Sequence, residues 1–299
     1  MRVAVTGSSG LVGSRLCALL SLEGHEVVRF VRNKPMEDAA NLVWWTPAEG
    51  VKTPENLEKT DAVIHLAGES VGRFRWSAAL KKEIWDSRIE GTNRLVECFG
   101  RLSRPPKSFV SASAIGFYGN RGDEVLTENS VQGGGFLSEL SAAWENSAQK
   151  AASIGIRVVT PRIGMVLARE GGALAKMLPA FKMGLGGRIG SGKQWVSWVT
   201  LEDLANLLVF LVKTNEITGP VNAVAPGHCT NASFTRSLAR TLHRPALFPV
   251  PSAMVSAIFG EMGKELLLSS QRVSPQLIVD MGFKFKHSDL ENALPFVLH

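Results

Sequence analysis

The chain has 299 residues, with 33 Lys and Arg against 27 Asp and Glu for a formal charge of +6, and 45% of its residues are hydrophobic. These proportions exclude a disordered protein and predict one large globular domain or two smaller ones. The three cysteines, Cys17, Cys98 and Cys229, lie far apart in the sequence, which excludes a disulfide framework and a paired-cysteine metal site.

Local patterns argue against several classes of partner. Apolar stretches such as 207–212 are much shorter than the roughly 20 residues that a membrane span needs. The first residues lack the apolar core of a signal peptide, so we expect a cytoplasmic protein without membrane association. No run of five basic residues occurs, which argues against a nucleic-acid surface. The six histidines show no metal-ligand spacing, so no metal site is predicted.

The first half of the chain alternates predicted strands and helices. Because short apolar strands alternate with amphipathic helices, the pattern predicts a parallel sheet covered by helices on both faces. Right-handed crossovers make this an α/β fold of the Rossmann type, with a doubly wound parallel sheet. The predicted strands are 2–6, 26–31, 61–66, 108–112 and 156–160, and the predicted helices are 11–22, 77–101 and 137–153.

The composition changes after about Gly164, where the chain becomes rich in turn-forming residues. The glycine pair 171–172 and a series of prolines between 220 and 251 mark turns around one apolar helix, predicted over 201–212. This richness in turn-forming residues predicts a smaller C-terminal α/β lobe that binds the substrate. In this division residues 1–165 form the Rossmann domain, residues 195–225 return to it, and residues 166–299 form most of the lobe.

The strongest local signal is a run of three glycines, Gly7, Gly10 and Gly13, between a predicted strand and a predicted helix. The first permits a tight turn, the second lets backbone N–H groups approach a pyrophosphate, and the third allows close helix–strand packing. The helix N-terminus adds partial positive charge at the same point. The motif therefore predicts a dinucleotide site, to which we assign Thr6, Gly7, Ser8, Ser9, Gly10, Leu11, Val12 and Gly13.

The end of the second predicted strand selects the cofactor. NAD-binding proteins place an acidic residue there to accept the ribose 2′-hydroxyl, but residues 29–34 contain no acid and Glu37 comes too late. Arg32 and Lys34 instead suit a 2′-phosphate, the first as a fork of donors and the second as a point charge. The sequence thus favours NADP(H) over NAD(H), with two solvated surface cations as the alternative.

Further motifs at predicted strand ends extend this pattern: Leu66-Ala67-Gly68, Ser111-Ala-Ser113, Tyr118-Gly119 and Pro161-Arg162. With the glycine turn, they resemble the extended short-chain dehydrogenase/reductase superfamily. Segments 186–194, 222–226, 250–252 and 270–275 are similar to its branch of epimerase family proteins, some of which are labelled nucleotide-sugar epimerases or cell-division inhibitors. The resemblance implies cofactor contacts by Leu66, Ala67, Gly68, Glu69, Ser111 and Arg162; for Arg162 the alternative is an internal ion pair.

The resemblance also implies a catalytic tyrosine followed four residues later by a lysine that lowers its pKa, and here the sequence departs from the family. Its single tyrosine is Tyr118, and no Tyr-x-x-x-Lys occurs. Alignment on Glu145 places Leu137 at the tyrosine position and Ser141 at the lysine position. Either Tyr118 acts instead, or another residue such as Ser113 handles protons, or the protein binds NADP(H) without efficient turnover.

The remaining expectations concern catalysis and partners. We expect Ser113, or Ser111 on the same face, to orient a substrate and Tyr118 to donate a proton, while Lys193 and Trp195 contact the substrate. The predicted function is that of an NADP(H)-dependent oxidoreductase or epimerase acting on a small carbonyl or hydroxyl compound, with nucleotide-linked compounds as one option. The alternative is a catalytically weak NADPH-sensing regulator that binds a protein partner. The helix 77–101 could pair two copies into a homodimer.

Overall fold

A mostly parallel sheet organises the chain in the computed structural model, which describes residues 1–35, 39–73 and 75–299. The strands are β1 (Arg2–Thr6), β2 (Glu26–Val31), β3 (Leu42–Thr46), β4 (Gly50–Val51), β5 (Ala62–His65), β6 (Ser108–Ser111), β7 (Ser113–Ala114), β8 (Val125–Leu126), β9 (Arg157–Ile163), β10 (Met165–Leu167), β11 (Trp195–Val196), β12 (Trp198–Thr200), β13 (Gly219–Ala223), β14 (Cys229–Thr230) and β15 (Arg272–Val273). The helices are α1 (Leu11–Leu22), α2 (Ala78–Phe99), α3 (Phe136–Gln149), α4 (Gly172–Lys182), α5 (Leu201–Lys213), α6 (Asn231–Thr241), α7 (Ser252–Leu266), α8 (Gln276–Asp280) and α9 (Leu290–Leu298).

The strand order of the main sheet is β13-β9-β6-β5-β1-β2-β3-β4, and β7 also pairs with β9. Neighbouring strands are parallel except β4, which runs antiparallel to β3. The strand order reverses at β1, which lies between β2 and β5. This arrangement confirms the predicted doubly wound α/β fold, and such sheets bind ligands outside the carboxyl ends of the strands at the reversal.

Side-chain alternation along β1 divides the core between the two faces of the sheet. Val3 and Val5 belong to one apolar cluster with residues of α1 and α5. Ala4 points to the opposite face, into a cluster with residues of α2 and α3. Because successive side chains of a strand alternate between faces, an apolar strand of this kind is buried on both sides. Both clusters end at the carboxyl edge of the sheet, where the side chains become polar.

Most predicted elements agree with the structure to within a few residues, but one predicted helix is shorter, and several elements of the sheet were not predicted. The predicted helix over 137–153 ends at Gln149 and continues as a 3-10 turn, Lys150–Ile154. The strands β3 and β4 were not predicted, and neither was β13, which contains Pro220. Pro220 is tolerated because β13 is an edge strand of the described sheet, where a missing N–H costs least. Within the described ranges, no helix combines the length and apolar character needed to cross a bilayer.

The C-terminal part of the chain has its own apolar cluster, built mainly from α4, α6 and α9. The buried carboxylate of Asp203 in α5 connects this part to the sheet. It accepts hydrogen bonds from the backbone N–H groups of Lys286 (2.8 Å) and His287 (3.1 Å). Thr200 begins the same helix, because its hydroxyl accepts from the Asp203 N–H at 3.0 Å. The exact division of the chain into domains stays a prediction.

Gly13 sets how closely α1 approaches the end of β1. A Cβ atom at this position would lie 2.1 Å from the carbonyl oxygen of Gly7 and 2.9 Å from the Cα of Ser8. Such a contact is far inside van der Waals distance, and the atoms it meets are backbone atoms that cannot rotate away. The third glycine of the motif is therefore required by packing, as the sequence predicts.

We expect Gly13→Ala to lower the free energy of unfolding by about 1–3 kcal/mol, because the added methyl group must displace the turn. Urea denaturation followed by circular dichroism measures the change. Gly134→Ala is the matched control, since a Cβ there would meet no atom within 4 Å. Equal stability of the two variants would contradict this account of the packing.

Candidate active site

The glycine turn lies at the reversal point of the sheet. Gly7 has a φ of +65°, and its carbonyl accepts a hydrogen bond from the N–H of Gly10 at 2.9 Å. Gly10 precedes the first residue of α1 and has no side chain to cap the helix. The N–H groups of the first turn therefore remain available to a ligand, and the helix dipole favours an anion there. The structure contains the backbone cradle that the glycine pattern predicts.

The other residues of the turn divide between exposed and packed positions. Ser9 is exposed, whereas Ser8 is buried and its hydroxyl lies 3.4 Å from the carbonyl oxygen of Phe30, a weak hydrogen bond. Val12 packs against the core, and the side chain of Leu11 lies beside Gly171, just before α4. The turn is thus enclosed from below by the core and from one side by the segment that begins α4.

Thr6 is fully buried, and its side chain is engaged inside the protein. Its hydroxyl oxygen accepts from the backbone N–H groups of Leu66 (3.0 Å) and Ala67 (3.1 Å). The same hydroxyl lies 2.6 Å from Nδ1 of His65. Because a hydroxyl has one proton and two lone pairs, it must donate to that nitrogen. Thr6 therefore positions the wall of the site by joining the ends of β1 and β5.

His65 continues this network toward the helices. Since Nδ1 accepts from Thr6, the ring proton resides on Nε2, which donates to the hydroxyl oxygen of Thr92 at 3.1 Å. That oxygen also accepts from Nε1 of Trp144 at 3.0 Å and donates to the carbonyl of Arg88 at 2.5 Å. Burial, with a smaller contribution from the Arg88 charge, lowers the pKa of His65 to about 3. The imidazole is neutral at physiological pH.

Arg32 and Lys34 lie exposed beyond the end of β2. The carbonyl of Arg32 accepts from Nε1 of Trp44 at 3.3 Å, and Nζ of Lys34 lies 6.0 Å from the Trp44 ring centroid. Neither cation forms an ion pair with any carboxylate in the described part of the chain. Both remain available to an anionic ligand. Glu37, which the sequence places too late to bind ribose, lies outside the described residues.

A second polar cluster lies at the carboxyl ends of β6, β7 and β9. Ser113 is 2% exposed, and its hydroxyl donates to Oε1 of Glu145 at 2.6 Å. The guanidinium of Arg162 binds both oxygens of the same carboxylate, at 2.8 and 2.9 Å. Ser111, the other candidate on this face, is fully buried, and its hydroxyl has no hydrogen-bond partner among the described residues. Only Ser113 thus has a hydrogen-bond partner among the described residues, and contact of either serine with a substrate stays a prediction.

Arg162 and Tyr118 are both engaged inside the protein. Arg162 is 3% exposed and forms the internal ion pair that the sequence analysis gives as one alternative; a cofactor contact by Arg162 stays a prediction. The fully buried hydroxyl of Tyr118 donates to Oδ1 of Asn222 at 2.6 Å and accepts from Arg162 at 3.0 Å. Burial raises the pKa of Tyr118 despite the nearby guanidinium. Both partners of this hydroxyl are protein groups, and a role for Tyr118 as proton donor stays a prediction.

The positions where the family carries its tyrosine and lysine contain no acid–base group. Leu137 is nearly buried, and its backbone N–H donates to Oε2 of Glu265 at 2.8 Å. The hydroxyl of Ser141 donates to the carbonyl of Leu137 at 2.8 Å, within the helix. The sequence analysis used Glu145 only to align α3 and missed its contacts with Ser113 and Arg162. The sequence does contain a signal for these contacts, because Glu145 directly follows Trp144 and places a carboxylate among apolar residues of α3.

The two residues expected to contact substrate lie in the C-terminal part of the chain. Lys193 is exposed. Trp195 donates from Nε1 to Oδ1 of Asp123 at 2.8 Å, and the Arg272 guanidinium lies 4.5 Å from its ring centroid. Trp195 therefore joins this region to the loop that follows Tyr118. Their contact with a substrate stays a prediction.

Comparison with known proteins identifies the family. The model of the NAD dependent epimerase/dehydratase family matches residues 3–223, more than half of the chain. The chain belongs to this family. Residues 250–296 match a domain of unknown function.

An epimerase family protein of Mycobacterium leprae is 40% identical over 294 residues, covering 98% of this chain and 94% of that protein. The human epimerase family protein SDR39U1 is 36% identical, covering 98% of each chain. The resemblance to epimerase family proteins is confirmed.

Solved structures extend the comparison. The crystal structure of human SDR39U1 with NADPH matches with a TM-score of 0.90 at 34% identity, covering 100% of this chain and 99% of that chain. A nucleoside-diphosphate sugar epimerase from Corynebacterium glutamicum matches with a TM-score of 0.81 at 33% identity, covering 100% of this chain and 58% of that chain. MoeE5 in complex with UDP-glucose and NAD shares the fold, with a TM-score of 0.78 at 19% identity.

We expect Tyr118→Phe to lower the free energy of unfolding by about 1–2 kcal/mol, because Asn222 and Arg162 each lose a buried partner. Binding of NADPH should not change. Urea denaturation and a fluorescence titration measure the two quantities. Wild-type stability together with loss of turnover would return Tyr118 to a catalytic role.

Acid should destabilise the protein through His65. The pKa of His65 is lower in the folded chain, about 3, than its ordinary value of 6.5, so only the unfolded chain binds the proton between these values. The contribution of His65 to the free energy of unfolding is full above pH 6.5 and decreases as the pH falls below that value. The decrease is at most about 1.4 kcal/mol per pH unit. We expect a shallower pH dependence in His65→Gln, measured by urea denaturation from pH 7 to pH 4. Identical slopes would contradict the assignment.

Proposed function

We propose that the protein binds NADPH at the carboxyl edge of the sheet. The observation that carries the proposal is the pair of exposed cations, Arg32 and Lys34, which form no ion pair with any described residue and follow β2, where this fold binds a 2′-phosphate. The cradle itself fits a pyrophosphate, because Gly10 leaves the first turn of α1 open. The NADPH complex of human SDR39U1, similar over the whole chain, supports the same cofactor.

Each group of residues would hold a different part of the cofactor. The backbone of Gly7 to Gly13 would bind the pyrophosphate, Arg32 and Lys34 the 2′-phosphate, and the segment 66–68 would lie beside the adenosine. Thr6 fixes that segment through the two hydrogen bonds that its hydroxyl accepts. When bound, the nicotinamide ring supplies or accepts a hydride.

The chemistry that we propose is hydride exchange with a small hydroxyl or carbonyl compound, with nucleotide-linked compounds as one option. Ser113 donates its proton to Glu145, so its lone pairs remain free to accept from a substrate hydroxyl. A proton leaving that hydroxyl would pass to Ser113 while the serine proton passes to Glu145. The Arg162 ion pair holds the carboxylate in position for this transfer. This path requires no tyrosine.

A second candidate function is an NADPH-dependent regulator that binds a protein partner. The observation that favours it is the absence of an acid–base side chain at Leu137 and Ser141, together with the burial of Tyr118. The two candidates differ in a simple measurement. NADPH oxidation by a panel of carbonyl compounds supports the enzyme, whereas a partner captured only in the presence of NADPH, without turnover, supports the regulator.

We expect NADPH to bind at least about tenfold more tightly than NADH, a difference of about 1.4 kcal/mol. Arg32→Asp should reduce this ratio, because it removes a phosphate donor and supplies an acceptor for a 2′-hydroxyl. Fluorescence titration with both cofactors measures the two constants.

Lys107→Asp is the matched control, because it makes the same charge change just before β6, at the opposite edge of the sheet. It should leave the ratio unchanged. Equal affinity of the wild type for the two cofactors would overturn the NADPH assignment.

A further inference from the structure

Arg272, at the start of β15, has a guanidinium that two side chains hold in place. Its Nε atom donates to Nε2 of His228 at 3.0 Å, and its guanidinium carbon lies 4.5 Å from the ring centroid of Trp195. The backbone is fixed as well, because the N–H of Val273 donates to the hydroxyl of Ser197 at 2.9 Å. The plane of the guanidinium is therefore set by the protein itself.

The other donors of this guanidinium have no protein partner. Arg272 forms no ion pair with any carboxylate in the described part of the chain, and its Nη1 and Nη2 atoms donate to no described acceptor. Asp123, which precedes the strand that pairs with β15, accepts from Trp195 instead. Two parallel donors on a half-buried cation suit an anion that offers two oxygens.

His228 adds a second unsatisfied donor beside this cation. Because Nε of Arg272 can only donate, Nε2 of His228 accepts, and the proton of the neutral ring lies on Nδ1. Burial and the neighbouring Arg272 charge lower the pKa of His228, which keeps the ring neutral at physiological pH. Nδ1 is buried and has no acceptor among the described residues. Since buried N–H groups are rarely left without a partner, this one also indicates a bound oxygen atom.

The location of Arg272 argues against the cofactor as the source of the anion. The loop that contains His228 follows β13, and three strands, β9, β6 and β5, separate β13 from β1. Four strand spacings of about 4.8 Å amount to about 19 Å. The glycine cradle after β1 and the cations after β2 therefore lie on the other side of the site.

Arg272 is connected instead to the residues proposed for proton transfer. Val273, the next residue, packs in one apolar cluster with Tyr118. The hydroxyl of Tyr118 accepts from Arg162, which holds the carboxylate that accepts from Ser113. The free guanidinium thus belongs to the part of the carboxyl edge where a substrate, rather than the dinucleotide backbone, would lie.

We propose that Arg272, with Trp195 and His228, binds an oxyanion of the substrate, either a phosphate or a carboxylate group. The inference deepens the proposed function and rests on it, because it restricts the hydroxyl or carbonyl substrate to a compound that has such a group. Nη1 and Nη2 of Arg272 donate to two oxygens of the anion, while the Trp195 ring lies against the guanidinium and keeps water from that side.

The test titrates the NADPH-saturated protein by calorimetry at constant ionic strength with two probes, inorganic pyrophosphate and succinate. Saturation with NADPH fills the anion sites of the glycine cradle and of Arg32 and Lys34, so the probes must bind elsewhere. We expect saturable binding of at least one probe. Arg272→Gln should weaken its Kd at least about tenfold, because two charge-assisted hydrogen bonds are lost. Tighter binding of pyrophosphate identifies a phosphate group, and tighter binding of succinate identifies a carboxylate.

Two further variants control for charge and for folding. Arg240→Gln removes the same charge from α6, where Arg240 pairs with Glu291 at 3.2 Å, and it should bind the probes as the wild type does. Arg272→Lys keeps the charge and should lose less affinity than Arg272→Gln, which keeps the test valid if the glutamine variant does not fold. The ligand-free melting temperature identifies any such failure.

No saturable binding of either probe to the wild type would overturn the proposal. Wild-type affinity of Arg272→Gln would also overturn it, and so would an equal loss in Arg240→Gln. These results leave the proposed function intact, because NADPH binding is measured first. Failure of the wild type itself to bind NADPH would instead overturn the proposed function and this inference with it.

Discussion

The hydroxyl of Thr6 makes as many hydrogen bonds as a hydroxyl can, and the carboxyl edge of the sheet is organised around it. Two backbone donors from the segment after β5 use its lone pairs, so its proton must go to His65. That choice fixes the imidazole tautomer, which determines the bond to Thr92 and, through Thr92, the position of Trp144. One network of hydrogen bonds, in which every polar group has a partner, thus joins four elements at the carboxyl edge of the sheet: β1, β5, α2 and α3. Such networks are rigid because any rearrangement leaves a buried polar group unpaired.

Much of the fold could be predicted because its signals are local. Apolar strands of four to seven residues, glycine and proline punctuation, and helical periodicity place β1, β2, β5, β6, α1, α2 and α5 close to where the structure has them. The strand β4 has only two residues, too few for a recognisable pattern. The strand β13 pairs with β9, which lies more than 50 residues earlier in the chain. Pro220 even argues against a strand, and it is accommodated only because β13 has a partner on one side.

The parts of the site that depend on backbone conformation could be predicted from the sequence. The parts that depend on contacts between side chains far apart in the sequence could be predicted much less well. Gly7 and Gly13 are required by a turn and a close approach, which a sequence motif records directly. The partners of Tyr118 and Arg162, Asn222 and Glu145, lie far from them in the sequence, so no local pattern reveals these contacts.

The position of β13 has a consequence for synthesis of the chain. β9 pairs with β6 on one side and, on the other, with a strand that begins at Gly219, well after β9 ends at Ile163. Until residue 223 has left the ribosome, one edge of β9 has unpaired backbone N–H and C=O groups. Unpaired strand edges of this kind promote association between chains. A chain whose synthesis ends between β9 and β13 would contain most of the strands of the sheet but would leave this edge of β9 unpaired. Completion of the sheet therefore depends on a segment that is synthesised late.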